Sequence, residues 1–297
     1  MTDRLLVFGE VLFDCFPDGQ HVLGGAPFNV AWNLQAFGLS PLFISRVGAD
    51  DFGAKVRHAM VEWGMDTSGL QMGSQRLTGV VDVELKGSEP SYTIRPDRAF
   101  DFVDAQQLPP FSPNCILYHG TLGVRNFESE QSLETIYSRI VVETPQPKIF
   151  VDANLRAPWW TPELVDKWLS RASWLKVSEQ ELQAIVPREE SLDNRITHLL
   201  NTLQLETLIV TRGELGAIAV SANGKRIEQV PSLTLDVVDT VGAGDAFSSV
   251  LLLGMAGGWP LTLSMQRAQE FANAVVGIQG ATSDDRSFYE AFSATWH

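Results

Sequence analysis

The chain has 297 residues, of which 44% are hydrophobic and 20% are charged, as expected for a globular protein rather than a disordered or fibrous one. Its 22 lysines and arginines against 36 aspartates and glutamates give a formal net charge of −14, which would repel the phosphate backbone of a nucleic acid. The two cysteines, Cys15 and Cys115, fit neither a disulfide framework nor a zinc knuckle.

Two uncharged stretches bear on localisation. Residues 5–8 are apolar but too few for the core of a signal peptide. Residues 246–266 carry no charge over a length that could cross a bilayer, but several glycines and Pro260 interrupt them. We therefore expect one buried helix that ends at 257–258 and a second that begins at Pro260. A cytoplasmic protein with no membrane or nucleic-acid partner is expected.

Short β-rich apolar runs alternate along the chain with segments of helical spacing. This alternation predicts a mostly parallel sheet covered by helices. Strands are predicted at 5–8, 42–47, 115–118, 149–151, 174–177 and 208–210. Helices are predicted at 27–37, 52–63, 127–142, 161–170, 192–203, 244–256 and 260–278, with Thr161 and Ser191 among the caps.

Residues 78–95 have a different pattern. Apolar and polar side chains alternate through 81–86 and again through 92–95, the period of half-exposed antiparallel strands. Glycine, serine and proline at 87–90 supply a turn between them. Such an insertion into an α/β domain predicts a lid over a site or a dimer surface, and an ordinary edge hairpin is the alternative.

The first motif with chemical potential is Gly24-Gly25-Ala26-Pro27-Phe28-Asn29. Two glycines before a helix allow a ligand to approach the backbone closely, and Asn29 offers both a donor and an acceptor to a sugar hydroxyl. Taken alone, the same residues also fit an ordinary helix start.

The second motif is Asp239-Thr240-Val241-Gly242-Ala243-Gly244-Asp245, directly before an apolar helix. Its glycines allow a tight turn at a helix start, where unpaired N–H groups and the positive end of the dipole favour an anion. Asp245 would lie beside a bound phosphoryl group and could accept a proton from an attacking alcohol. Phe247 occupies the third glycine position of a dinucleotide fingerprint, and no Walker-type P-loop is present.

Together the two motifs resemble the paired signatures of the ribokinase-like, or phosphofructokinase-B-type, carbohydrate kinases, and the similarity extends over essentially the whole chain. Fructokinases are the most similar members. The resemblance implies an α/β three-layer sandwich with a mostly parallel central sheet and a small β-sheet lid. It also implies one kinase domain over 1–297, with the lid formed by about 11–24 and 76–104.

The resemblance further implies the roles of individual residues in phosphoryl transfer from ATP to a sugar hydroxyl. Asp245 is the implied base, and the backbone of Gly242, Ala243 and Gly244 forms the anion hole. Contacts to the sugar are implied for Asp14, Gly24, Gly25, Asn29, Tyr92, Arg95 and Arg156. Contacts to ATP are implied for Asn154, Thr211, Gly213, Gly216 and Asn273. Glu181 is implied to bind Mg²⁺ through water, and Asp239 to bind a monovalent cation such as K⁺.

Two departures from the family pattern stand out. Ser178 replaces the asparagine of the family's Asn-x-x-Glu segment, which puts magnesium handling in question, and Val250 stands where the signature has alanine or glycine. The spacing of Ser173 and Lys176 matches one motif of penicillin-recognising enzymes, but the companion motifs are absent and we assign it no function.

Several functions stay open at this point. A 2-keto-3-deoxygluconate kinase would use Arg95 and Arg156 to pair with a sugar-acid carboxylate. A nucleoside kinase shares the same scaffold. A catalytically silent sugar-binding regulatory protein and a nucleotide-dependent oxidoreductase represent other classes. The exposed lid strands also suggest a homodimer.

Overall fold

The computed structural model describes residues 4–86, 89–231 and 237–296. Its strands are β1 (Arg4–Phe8), β2 (Leu12–Cys15), β3 (His21–Gly24), β4 (Leu42–Gly48), β5 (Leu70–Gly73), β6 (Gly79–Lys86), β7 (Glu89–Ile94), β8 (Cys115–His119), β9 (Lys148–Asp152), β10 (Trp174–Ser178), β11 (Thr207–Thr211), β12 (Ala217–Ser221) and β13 (Arg226–Gln229). Its helices are α1 (Ala26–Ala36), α2 (Asp51–Trp63), α3 (Phe127–Glu143), α4 (Pro162–Leu169), α5 (Glu179–Ile185), α6 (Leu192–Thr202), α7 (Ala243–Gly257), α8 (Leu261–Val276) and α9 (Arg286–Ser293).

The larger sheet has nine strands within the described ranges, in the order β13-β12-β11-β10-β9-β8-β1-β4-β5. The strands from β11 to β5 in this order run parallel, whereas β12 and β13 pair antiparallel at one edge. The central strands are buried on both faces, and their sequences are therefore continuous apolar runs. Ligands of open α/β sheets bind at the carboxyl ends of the parallel strands.

Helices cover both faces of this sheet and create two separate hydrophobic cores. One core lies beneath α1, α2, α7, α8 and α9 and includes Phe28, Phe247 and Phe271. The other lies beneath α3, α4, α5 and α6 and includes Leu133 and Trp168. The result is the three-layer α/β sandwich expected from the sequence.

The smaller sheet contains four strands in the order β3-β2-β6-β7. Strand β2 pairs antiparallel with β3 and parallel with β6, and β6 pairs antiparallel with β7. Leu12 and Val81 pack with Phe100 and Leu122 into a small core of their own, which fixes this sheet against the larger domain. The predicted antiparallel strands are confirmed, although residues 87–88 of the predicted turn lie outside the described residues.

The predicted central strands and helices are confirmed to within about one or two residues at each end. Thr161 and Ser191 cap α4 and α6, and α7 ends at Gly258 before Pro260 opens α8. The sequence analysis did not predict strands β5, β12 and β13 or the short helices α5 and α9. In the part of the chain that is described, no helix is long and apolar enough to cross a membrane.

Candidate active site

The start of helix α7 is built from glycine for a steric reason. Gly242, the residue before the helix, has φ of 80°, and a Cβ at this position would collide with Ala281. No side chain caps the helix start. The Ala243 N–H donates a long hydrogen bond of 3.5 Å to the Thr240 oxygen, whereas the Gly244 and Asp245 N–H groups remain available to an anion, which the positive end of the helix dipole also favours.

Asp245 lies in the first turn of α7 and is paired with Asn29 of helix α1. The Asn29 side-chain N–H donates a hydrogen bond of 2.8 Å to Asp245 Oδ2 across 216 residues of sequence. Burial raises the pKa of Asp245 to about 6, and the negative charge of Asp152 adds to this effect. The Asn29 hydrogen bond, Lys176 and Arg156 act in the opposite direction. The carboxylate of Asp245 therefore has a pKa that suits a general base near neutral pH.

Asp14, Gly24 and Asn29 surround one small space on the sugar side of the predicted site. A Cβ placed on Gly24 would lie 3.8 Å from Asn29 Oδ1 and 3.9 Å from Asp14 Oδ2. Asn29 Oδ1 is buried and has no hydrogen-bond partner, so it is open to a donor from a ligand. Burial raises the pKa of Asp14 to about 6, and the charge of Asp239 contributes.

Gly25 is required beside this space. It has φ of 111°, and a Cβ there would lie 2.7 Å from the backbone oxygen of Glu10. Any larger residue would push the start of α1 away from the end of β1. Close packing of backbone on backbone therefore explains Gly25, whereas Gly24 borders the space between Asn29 and Asp14.

The two lid residues predicted to contact the sugar differ in position. Tyr92 is half exposed and is paired with Val83, two residues after the Asp14 partner Val81, so it lies on the same lid face as Asp14. Partial burial raises the pKa of its phenol, and the charges of Asp14 and Asp239 add to this effect. Arg95 instead forms a two-point ion pair with Asp82, with both distances 2.5 Å. Because Asp82 is paired with Cys15 in the neighbouring strand, Arg95 lies on the lid face opposite to Asp14.

The loop after β9 brings the predicted residues Asn154 and Arg156 to the same edge of the sheet. Arg156 is exposed, and its positive charge lowers the pKa of both Glu10 and Asp245. Asn154 adopts a left-handed backbone conformation with φ of 40°. Of the two arginines predicted to contact the sugar, Arg156 is the one whose charge acts on Asp245, whereas Arg95 does not.

Ser178 has a structural role that accounts for its presence at the start of α5. Its hydroxyl accepts a hydrogen bond from the Glu181 N–H, while Glu181 Oε2 accepts one of 2.7 Å from the Ser178 N–H. This reciprocal pair is a capping box. Glu181 Oε1 accepts a further hydrogen bond of 2.6 Å from the Leu155 N–H and so ties α5 to the loop after β9.

Four of the five residues predicted to contact ATP lie along the edge from β11 to α8, and the fifth, Asn154, lies in the loop after β9. Thr211 ends β11, and Gly213 and Gly216 have positive φ in the turn that follows. Asn273 lines a cavity of about 290 Å³ with Gln229, Val230, Gln266, Gln269 and Glu270. A cavity lined mainly by side-chain amides offers both donors and acceptors to a heterocyclic base.

Asp239 joins two loops next to the start of α7. Its Oδ1 accepts a hydrogen bond of 2.9 Å from the Val241 N–H, and its Oδ2 accepts one of 3.2 Å from the Gly280 N–H. Within residues 4–86, 89–231 and 237–296, no three histidine, cysteine or acidic side chains cluster as a metal site. A cation at Asp239 or Glu181 would therefore take most of its ligands from backbone oxygens, water or substrate.

Three buried charged residues at the site were missed by the sequence analysis. Glu10 follows β1, is 2% exposed and has a pKa raised to about 7 by burial. Asp152 ends β9, and Lys176 lies opposite it on β10. The available signal was a charged residue inside or beside an otherwise apolar strand, which indicates a buried charge with a partner.

The comparisons with known proteins agree with this geometry. The family model described as pfkB family carbohydrate kinase matches residues 6–287. The chain therefore belongs to the pfkB family of carbohydrate kinases, enzymes that transfer a phosphoryl group to a sugar hydroxyl.

Two sugar or riboside kinases and one solved kinase structure are similar to most of this chain. A fructokinase of Klebsiella pneumoniae is 30% identical over 269 residues, which cover 86% of this chain and 85% of the relative. An aminoimidazole riboside kinase of Salmonella typhimurium is 31% identical over 266 residues, covering 86% and 81%. A solved fructokinase from Vibrio cholerae O395, with fructose, ADP and potassium bound, has a TM-score of 0.83 at 23% identity and covers 98% of each chain.

Proposed function

We propose that this protein is a fructokinase, which transfers the γ-phosphoryl group of ATP to a hydroxyl of fructose with Asp245 as the base. The observation that carries the proposal is the 2.8 Å hydrogen bond between Asn29 and Asp245 at the uncapped, glycine-lined start of α7. It joins a residue suited to hold a sugar hydroxyl to a carboxylate suited to deprotonate it.

In this mechanism Asp245 accepts the proton of the attacking hydroxyl as the new oxygen–phosphorus bond forms. With a pKa of about 6, the carboxylate is mostly ionised at neutral pH and remains a competent base. The backbone N–H groups of Gly242, Ala243 and Gly244 stabilise the charge on the transferred group, together with the helix dipole.

Asp14 and Asn29 hold sugar hydroxyls in the space beside Gly24. Both side chains have acceptor oxygens directed there, and the unpartnered Asn29 Oδ1 needs a donor that a hydroxyl supplies. We further propose that residues 1–297 act as one kinase domain whose lid, about 11–24 and 76–104, closes over the sugar and excludes water. Tyr92 would meet the sugar from the lid.

The residues at the nucleotide edge fit ATP with a magnesium ion. Mg²⁺ bound with ATP neutralises phosphate charge, and Glu181, which is fixed by two backbone N–H groups, would hold one of its waters. The amide-lined cavity beside Asn273 would take the adenine, and the 213–216 turn would lie beside the ribose and phosphates. Asp239 and its loop would bind a potassium ion.

Fructose is preferred over the sugar acid for a structural reason. The 2-keto-3-deoxygluconate hypothesis relied on Arg95 and Arg156, and the guanidinium of Arg95 is already paired with Asp82. An aminoimidazole riboside is the second candidate substrate, because the riboside kinase relative is as similar in sequence as the fructokinase relative.

A substrate panel tests the proposal. ADP release would be measured with fructose, ribose, 2-keto-3-deoxygluconate, adenosine and aminoimidazole riboside at saturating magnesium and ATP. We expect the highest kcat/KM with fructose. A preference for the riboside would establish the second candidate, and binding of fructose without ADP release would favour a silent sugar-binding protein.

We also infer a homodimer formed through the lid. Strands β3 and β7 lie at the two edges of the described four-stranded sheet, and such edges offer unpaired backbone groups to a second copy. Light scattering would check the mass, and a monomer at micromolar concentration would contradict this inference.

A further inference from the structure

Four polar side chains form a buried network beneath the start of α7. Asp152 and Lys176 lie directly opposite each other on the neighbouring parallel strands β9 and β10. Asp152 Oδ2 accepts hydrogen bonds from Lys176 Nζ at 2.5 Å, from the Ser248 hydroxyl at 2.9 Å and from the Tyr118 hydroxyl at 3.3 Å. One carboxylate oxygen thus gathers three donors from two strands and a helix.

The charged groups of this network are buried, which is energetically unfavourable. Asp152 is 3% exposed and Lys176 is 5% exposed, within the apolar layer between the sheet and α7. Removing two charges from water costs so much that a well-packed apolar pair is often as stable or more so. Stability therefore does not explain why this pair is ionic, and a role in the neighbouring site is the better explanation.

The ammonium group of Lys176 lies next to the backbone of the predicted anion hole. A Cβ added at Gly244 would be 3.6 Å from Lys176 Nζ. Ser248, which donates to Asp152, lies four residues later and so on the same face of α7. The pair consequently contacts the first and second turns of the helix at its positive end.

Charged and titratable groups from several elements influence Asp245. Asp152 on β9, Lys176 on β10 and Arg156 in the loop after β9 act on its pKa, and its own charge in turn helps burial to raise the pKa of Glu10 after β1 and of Tyr118 on β8. Tyr118 stays neutral because burial raises its pKa well above the ordinary value. Asp152 raises the pKa of Asp245, whereas Lys176 and Arg156 lower it.

We propose that Lys176 and Asp152 are positioning residues for phosphoryl transfer. Asp152 holds the ammonium of Lys176 behind the Gly244 backbone, where its positive charge adds to that of the helix start and stabilises the phosphoryl group in transfer. The same pair holds the start of α7, and with it Asp245, in place through Ser248. This inference rests on the proposed kinase function.

Two variants test the proposal by turnover. Lys176→Met is expected to lower kcat about 10²-fold, the effect of losing one donor to a developing anion, with a much smaller change in the KM for fructose. The double variant Lys176→Met/Asp152→Asn contains no unpaired buried charge and should fold even if the single variant does not. Its kcat is expected to stay at least about tenfold below the wild type.

The pH profile supplies a readout that loss of packing would not produce. Lys176→Met is expected to shift the acid limb of kcat/KM upward by about one unit, because a positive charge near Asp245 is lost. Asp152→Asn is expected to shift it downward, because a negative charge is lost. In the double variant the two shifts oppose each other and the limb returns toward the wild-type position.

Lys167→Met is the matched control. Lys167 pairs with Glu130 and Glu134 on the other helical layer. Its substitution should change neither kcat nor the position of the acid limb in the pH profile of kcat/KM. If kcat of the double variant were within about threefold of the wild-type value, the pair would have only a structural role. Shifts of both single variants in the same direction would also overturn the proposal. A wild type that phosphorylates no sugar would instead refute the proposed function, and this inference with it.

Discussion

The helices of this protein begin in three different ways. A side chain accepts a backbone N–H at the start of six helices, from Asp50, Asn126, Thr161, Ser178, Ser191 and Asp285. Helices α1 and α7 begin instead at Gly25 and Gly242, which have positive φ and provide no cap. Helix α8 begins at Pro260, also without a side-chain cap. The chain therefore leaves N–H groups open at the two glycine starts, which converge on the candidate site, and covers them with side chains at six other helix starts.

The two helices that begin at glycine also differ from each other. Helix α1 is buried from Pro27 to Leu34 and presents the neutral amide of Asn29, which suits a sugar hydroxyl. Helix α7 presents the carboxylate of Asp245 beside a half-exposed glycine turn, which suits a phosphoryl group. Under the proposed function, the start of α1 would bind the sugar and the start of α7 would stabilise the charge of the transferred group.

The largest effect on this difference between α1 and α7 is expected when the proposed base is removed. Asp245→Asn keeps the shape of the side chain and is expected to lower kcat by about 10²–10⁴-fold. Calorimetric titration with fructose should show a Kd within about threefold of the wild type, because Asn29 and Asp14 remain. Near-normal turnover by this variant would remove Asp245 from the role of base.

A smaller effect is expected from disturbing the glycine turn itself. Gly242→Ala would collide with Ala281 and displace the N–H groups of α7, and we expect kcat to fall about 10²-fold. Gly258→Ala, at the other end of the same helix, is the control, since it also has positive φ but meets no atom within 4 Å. It should lower the free energy of unfolding by about 1 kcal/mol and leave kcat unchanged. Equal losses of kcat in the two variants would contradict this prediction.

The pH dependence of the wild-type activity tests the role of Asp245 at the start of α7. Asp245 must be deprotonated to act, and burial raises its pKa from 3.8 to about 6. We therefore expect kcat/KM for fructose to be constant above neutral pH and to fall about tenfold per unit below pH 6. An acid limb near pH 4 would indicate that Asp245 is not desolvated, or that another group is the base.

The smallest effect belongs to a capped helix far from the site. Ser191 accepts the Asn194 N–H at 3.1 Å, and Ser191→Ala is expected to lower the free energy of unfolding by about 1 kcal/mol. Urea unfolding would measure this loss, and Ser191→Thr should recover much of it. Turnover should not change in either variant, and a loss of kcat would undo the distinction between structural and ligand-binding helix starts.

The strands and helices that were predicted correctly could be recognised from the residues within them and at their ends. Apolar runs such as 208–210 indicated buried parallel strands, and Gly258 and Pro260 marked a helix end and the next start. Strand β13 has only four residues, and the antiparallel direction of β12 and β13 depends on the partner strand. Helix α5 has only seven residues, too few to show a helical period.

By itself the sequence determined which residue types stand at the two glycine turns, and hence the class of chemistry. Only the tertiary structure decided that Asn29 contacts Asp245, that Arg95 is bonded within the lid, and that Lys176 lies beneath Gly244. The reason is physical. Backbone conformation depends mainly on neighbouring residues, whereas desolvation and Coulomb interaction depend on burial and distance, which are set when separate segments pack together.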